Sequence, residues 1–141
     1  MVAIFCVMLL VATTVVHYEM LRMLSIGLPA LDMQARPKLI IVILGASVAH
    51  AVEIAMYGLA FFLLAGWLGT GSLGDPAHLS FPRCLYFSAE TYSSLGYGDI
   101  VPTGGLRLLA GMEALNGLLL IGWTASYVYI SMERFWGNTD K

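Results

Sequence analysis

Three long apolar stretches dominate this chain, and their length fixes what it can fold into. Residues 1–26, 39–68 and 105–132 are each long enough to cross a bilayer, which takes about 20 helical residues. A peptide group in hydrocarbon has no water to bond, so each stretch is expected to be a helix that satisfies its own backbone. Composition agrees: 59% of residues are hydrophobic and 11% charged, which is the balance of an integral membrane protein. A net charge of -2 offers no field for a nucleic-acid partner. No nucleophile, base and oxyanion donor fall together, so an enzyme is not expected.

The segment between the second and third stretches is different in kind. Residues 69–80 are glycine-rich, with Asp75-Pro76 as a turn signal. Phe81 to Ser93 is too short and too polar to span. Ser80 suits an N-cap and Pro82 the first helical turn. A short helix here is expected to enter the membrane and turn back, which is tolerated only where protein surrounds it. Ser93-Ser94-Leu95-Gly96-Tyr97-Gly98-Asp99 follows. Glycines admit backbone conformations that residues with a Cβ avoid. Alternating conformations can turn successive carbonyls to one side, and rings of such oxygens can replace a cation's hydration shell. The C-terminal end of the preceding helix would add partial negative charge below them.

Glu90 to Asp99 reads E-T-Y-S-S-L-G-Y-G-D. It closely resembles the filter of tetrameric potassium channels of the two-span pore-loop type, whose core reads T-V-G-Y-G-D. Ser94 stands for the threonine and Leu95 for the valine, and Gly96-Tyr97-Gly98-Asp99 is intact. The resemblance covers about Leu39 to Met132, and leaves the first stretch as an extra N-terminal span. It implies an all-α membrane protein with three transmembrane helices per chain, a re-entrant pore helix and a selectivity filter, assembled as a homotetramer. The pore domain would be 39–132: outer helix 39–68, turret 69–80, pore helix 81–93, filter 94–99 and inner helix 105–132.

The resemblance further implies K+ as the permeant ion, with no organic cofactor. Backbone carbonyls of Ser94, Leu95, Gly96 and Tyr97 would hold it, with Gly98 completing the filter and Tyr97 packed on the pore helix. In bacterial two-span channels a glutamate behind the filter faces the aspartate at its outer end. That pairs Glu90 with Asp99 over a shared proton, while a second reading has Glu90 satisfying backbone donors. Gly117 and Gly122 match the inner-helix hinge glycines across a one-residue gap, and read equally as small residues for close packing. On that alignment Leu118, Ile121, Ala125 and Tyr129 line the cavity, with an apolar gate near Tyr129. No span carries repeated basic residues, so no voltage sensor is expected. Ser94 and Leu95 leave two competitors: a weakly selective monovalent cation channel on the same scaffold, and a non-conducting membrane assembly protein.

The spans also carry polar groups. His50, Glu53 and Tyr57 share one face of the second. Glu113 and Asn116 lie in the third, and Thr13, Thr14, His17, Tyr18 and Glu19 in the first. A carboxylate at this depth does not face lipid. His50, Glu53, Tyr57, Glu113 and Asn116 are therefore expected in a buried network, either structural or pH-sensitive. A metal site has too few ligands within one helix unless other chains contribute. His17 with His50 is the candidate pair for haem, with nothing else to support it. Cys6 and Cys84 read as small hydrophobes.

Charge sets the expected orientation. Arg22, Arg36 and Lys38 flank the connector 27–38, where Pro29 and Pro37 are expected to interrupt helix. Arg134 and Lys141 fall in the tail 133–141, and Arg83 and Arg107 lie across the membrane. The bias of Lys and Arg to the inside makes connector and tail cytoplasmic, and the N-terminus and filter external. A prokaryotic inner membrane is expected. Residues 1–26 lack a basic leader and a cleavage site, so they are expected to be retained. The short tail favours a leak, a pH-sensitive pore or gating by a regulatory partner that the sequence does not name.

Overall fold

The computed structural model describes residues 1–136. Four α-helices follow in order: α1 Val2–Ala30, α2 Ala35–Gly66, α3 Phe81–Tyr92 and α4 Leu106–Trp136. Among them α1, α2 and α4 are long and apolar enough to cross a membrane. The protein is an all-α membrane protein with three such helices.

Helix boundaries differ from the sequence expectation at the connector. α1 runs past 26 to Ala30, and α2 begins at Ala35 rather than 39. The connector 27–38 thus shrinks to 31–34. Neither proline breaks its helix. Pro29 is one residue from the end of α1. Pro37 sits in the first turn of α2, where a missing N–H costs nothing because no helical acceptor exists for it. α2 ends at Gly66, and α4 continues through the expected tail to Trp136. Residues 137–141, including Lys141, lie outside the described residues.

α3 begins and ends where its sequence requires. Ser80 has extended backbone and its carbonyl accepts the Cys84 amide at 3.0 Å, although its side chain makes no cap bond. Pro82 fits the first turn. At the other end Ser93 is the C-cap, so the helix covers 81–92.

α3 is held between α2 and α4, and α1 packs against α2 and α4 outside it. Tyr57, Phe61 and Leu64 of α2 meet Phe87, Cys84 and Tyr92 of α3 and Leu106 and Leu109 of α4 in the core. Phe61 and Phe87 meet edge to face at 5.0 Å, a favoured aromatic geometry. Cys6 and Cys84 are buried and unbridged. Since lipid is as apolar as a side chain, such packing holds the helices by close contact rather than by escape from water. Gly117 shows how close: a Cβ there would overlap the carbonyl group of Tyr92. Only 22%, 22% and 33% of the most apolar windows of α1, α2 and α4 are buried. The remaining helix surface is left for lipid or further chains.

The outer loop is tied to the segment that follows the filter. Leu73 pairs with Pro102 in an antiparallel bridge and is buried. Thr103 donates its amide to the Ser72 carbonyl at 2.9 Å, and Gly105 to that of Thr70 at 2.9 Å. These bonds clamp the top of α4 to the end of α2.

Candidate ion-conduction site

The segment 93–99, which holds the expected filter, begins where α3 stops. The amides of Ser94 and Leu95 donate to the carbonyls of Thr91 and Glu90 at 3.0 and 2.9 Å, which stitches the turn to the helix end. Ser94, Gly96 and Gly98 then have φ of 57°, 57° and 79°, with Leu95 and Tyr97 between them outside the left-handed region. Handedness therefore alternates residue by residue. Ser94 is the non-glycine residue with positive φ among the described residues, at a cost of roughly 1–2 kcal/mol. Nothing lies within 4 Å of a Cβ built on Gly96 or Gly98, so these positions need glycine for conformation and not for space.

Such alternation can turn N–H groups to one side. On that side Glu90 Oε1 accepts the Tyr97 amide at 2.9 Å, and the residue is only 5% exposed. The Tyr97 ring stacks on Tyr86 of α3, with centroids 6.3 Å apart and planes 4° from parallel. Asp99 is exposed. Among the described residues no direct hydrogen bond joins it to Glu90. The bond that Glu90 makes to the Tyr97 amide is the one expected where Glu90 satisfies backbone donors.

On α4, Leu118, Ile121, Ala125 and Tyr129 all lie exposed on the single chain. Tyr129 donates its hydroxyl to Glu133 at 3.0 Å. Gly122 is exposed with open space around it, whereas Gly117 is buried against Tyr92.

A family model described as an ion channel matches residues 39–134. The chain belongs to this ion-channel family. The match bears out the resemblance to potassium-channel pore domains drawn from Glu90 to Asp99. The chain is also similar to the inward rectifier potassium channel Kirbac3.1 of Paramagnetospirillum magnetotacticum, at 36% identity over 77 residues. That stretch covers 53% of this chain and 26% of the relative, so the chain spans about a quarter of the relative's length. No solved structure matches it significantly. All of α1, Val2–Ala30, falls outside the matched segment 39–134.

Within the helix bundle the buried polar residues sort into three groups rather than one network. In the first, His17 Nδ1 lies 2.9 Å from Glu53 Oε1 and His50 Nδ1 lies 3.2 Å from Glu53 Oε2. Tyr92 donates its hydroxyl to the same carboxylate. In the second, Asn116 Nδ2 donates to Thr13 Oγ1 at 2.7 Å and to the Tyr57 hydroxyl at 3.2 Å. In the third, the Ser88 hydroxyl reaches Glu113 Oε1 at 2.5 Å and the Ile54 carbonyl at 2.8 Å. The sequence singled out His50, Glu53, Tyr57, Glu113 and Asn116. It paired His17 with His50, but did not bring His17 to Glu53, Thr13 to Asn116, or Ser88 and Tyr92 to the carboxylates. The i, i+4 spacing of Thr13 and His17 was the available signal, since it puts both on one face of α1.

Proposed function

We propose that this chain forms a homotetrameric, potassium-selective channel that conducts passively and has no voltage sensor. The alternation of handedness at Ser94, Gly96 and Gly98 carries this reading. The Tyr97 amide turns toward Glu90, and alternating handedness would turn the carbonyls of Ser94, Leu95, Gly96 and Tyr97 to the opposite side. One strand gives one oxygen per layer, and a dehydrated K+ needs a ring of them. Four copies supply that ring. The exposure of Leu95 and Tyr97, at 60% and 68%, leaves both side chains free to meet neighbouring copies. Leu118, Ile121, Ala125 and Tyr129 then line the cavity below, and an apolar constriction near Tyr129 gates by dewetting.

The orientation follows from charge. Arg36, Lys38 and Arg134 border one cleft of about 620 Å³ between the α1–α2 connector and the end of α4. Lys and Arg favour the cytoplasmic side, so that cleft faces the cytoplasm of a prokaryotic inner membrane, and the N-terminus and filter face out. Ser94 and Leu95 favour one second reading, a weakly selective cation channel. Ser94 lacks the threonine methyl and Leu95 is bulkier than valine, and on that reading one or the other loosens the filter.

Proteoliposomes decide between them. Loaded with K+ and diluted into an impermeant salt, vesicles with a protonophore should take up protons as K+ leaves, and Na+-loaded vesicles should not. Uptake from both would establish the weakly selective channel. Uptake from neither, by protein that cross-links as a tetramer, would establish a non-conducting assembly.

A further inference from the structure

The group around Glu53 gathers three metal-type donors on one another. Both Nδ1 atoms, of His17 and His50, face the Glu53 carboxylate. Both Nε2 atoms face a single hydroxyl, that of Thr124, at 3.1 and 2.9 Å. That hydroxyl has one hydrogen, so at most one ring accepts from it and the other donates its Nε2–H. The donating ring meets Glu53 through Nδ1, and either a second ring proton or a metal ion completes that contact.

We propose that His17, His50 and Glu53 bind one borderline divalent transition-metal ion, of which Zn2+ is the type, in each chain. The donor set is two imidazole nitrogens and a carboxylate, with ligand atoms all within 4.8 Å of one another. Imidazole suits Zn, Cu and Ni and discriminates against K+ and Mg2+, which take oxygen. A tetrahedral ion with bonds of about 2.0–2.1 Å separates its ligands by about 3.3 Å. The contacts of 2.9 Å to Oε1 and 3.2 Å to Oε2 lie near that separation, and the wider pairs of the set, within 4.8 Å, close onto the ion. With both Nδ1 atoms on the ion, both Nε2–H groups donate to Thr124, which is the outer-sphere bond that fixes ring tautomer and orientation. The Tyr92 hydroxyl, 2.8 Å from His50 Nδ1, stands beside the fourth position, which a water fills. His17 and Glu53 are fully buried, and the His50 side chain is 19% exposed, which gives the ion a way in.

The site would bridge α1 to α2. His17 lies outside the matched pore segment 39–134, so the site depends on the added helix. Tyr92 ends α3 just before the filter, so an ion held here would bear on the filter's base.

The test is a Co2+ titration of purified full-length protein in detergent. His78, which faces Asp75 at the exposed loop, is first replaced by His78→Ala to remove a surface competitor. We expect one Co2+ per chain, with the intense visible absorption of a four-coordinate ion, displaced by stoichiometric Zn2+. His17→Gln and His50→Gln, each checked for folding by gel filtration, should weaken binding at least 10-fold. Folded protein that takes up no Co2+, gives only the faint bands of a six-coordinate ion, or binds equally well as His17→Gln would overturn the proposal. His50→Cys covers the case in which the glutamine variants do not fold. It keeps three ligands and should add a thiolate-to-Co2+ charge-transfer band in the near ultraviolet, and its absence in folded protein would equally overturn the assignment.

Discussion

The carboxylate of Glu90 accepts the backbone amide of Tyr97 at 2.9 Å, joining the pore helix to the middle of the filter by one bond. A buried hydrogen bond to a charged acceptor is worth about 1.5–3 kcal/mol. Glu90→Ala should therefore lower the thermal midpoint and change open probability or inactivation, while Glu90→Gln keeps an acceptor and should lie nearer wild type. Single-channel recordings check this, and unchanged steady-state gating in Glu90→Ala would count against it.

Gly117 and Gly122 should respond in opposite ways. At Gly117 a Cβ meets the Tyr92 backbone, with Cα at 3.1 Å, whereas at Gly122 it meets nothing within 4 Å. Overpacking typically costs 1–3 kcal/mol, and removing a helical glycine returns up to about 1 kcal/mol. Melting in detergent should show Gly117→Ala destabilised and Gly122→Ala equal to or above wild type. Equal effects would mean that close packing on Tyr92 is not what Gly117 provides.

Asn116 is one tie between the added helix and the rest of the bundle, beside those of His17, since its amide reaches Thr13 of α1 and Tyr57 of α2. Asn116→Ala leaves both hydroxyls without this donor in a buried site, at a cost of about 1–3 kcal/mol. Limited proteolysis should then release α1 faster than in wild type. An unchanged cleavage rate would show that α1 docks without this bond.

Asp75 lies outside the spans, in the outer loop. Its carboxylate accepts the Ala77 amide at 3.0 Å and faces His78 Nδ1 at 3.0 Å. The backbone bond first, and His78 second, hold its carboxyl below the usual range. A lowered folded pKa means that the turn's contribution is present above the unfolded value of about 3.9 and is lost as pH falls through the folded one. The side chain is exposed, so the effect on stability is small. Titration of the Asp75 carboxyl by NMR should give a midpoint below that of an unstructured aspartate, and a midpoint at or above it would contradict the turn.

The sequence made the parts set by local chemistry readable. Gly96 and Gly98 marked the left-handed positions because glycine alone adopts them at no cost. Ser94 carries the same conformation with no mark in its residue type, since the neighbouring Glu90 and Thr91 carbonyls impose it. The role of Gly117 depended on where the Tyr92 carbonyl falls, which no helix pattern contains. His17 was legible as a partner for His50, but its contact with Glu53 was not, because Glu53 is distant in the chain and on another helix. Pro29 and Pro37 misled in the other direction, because a proline at a helix edge breaks nothing.

The central claim is selective conduction, and one recording addresses it directly. Purified protein in a planar bilayer, with K+ on one side and Na+ on the other, gives a reversal potential. The account predicts a value near the potassium equilibrium potential, with Leu95→Val leaving it unchanged because carbonyls and not side chains meet the ion. Clear single channels reversing near zero would contradict it.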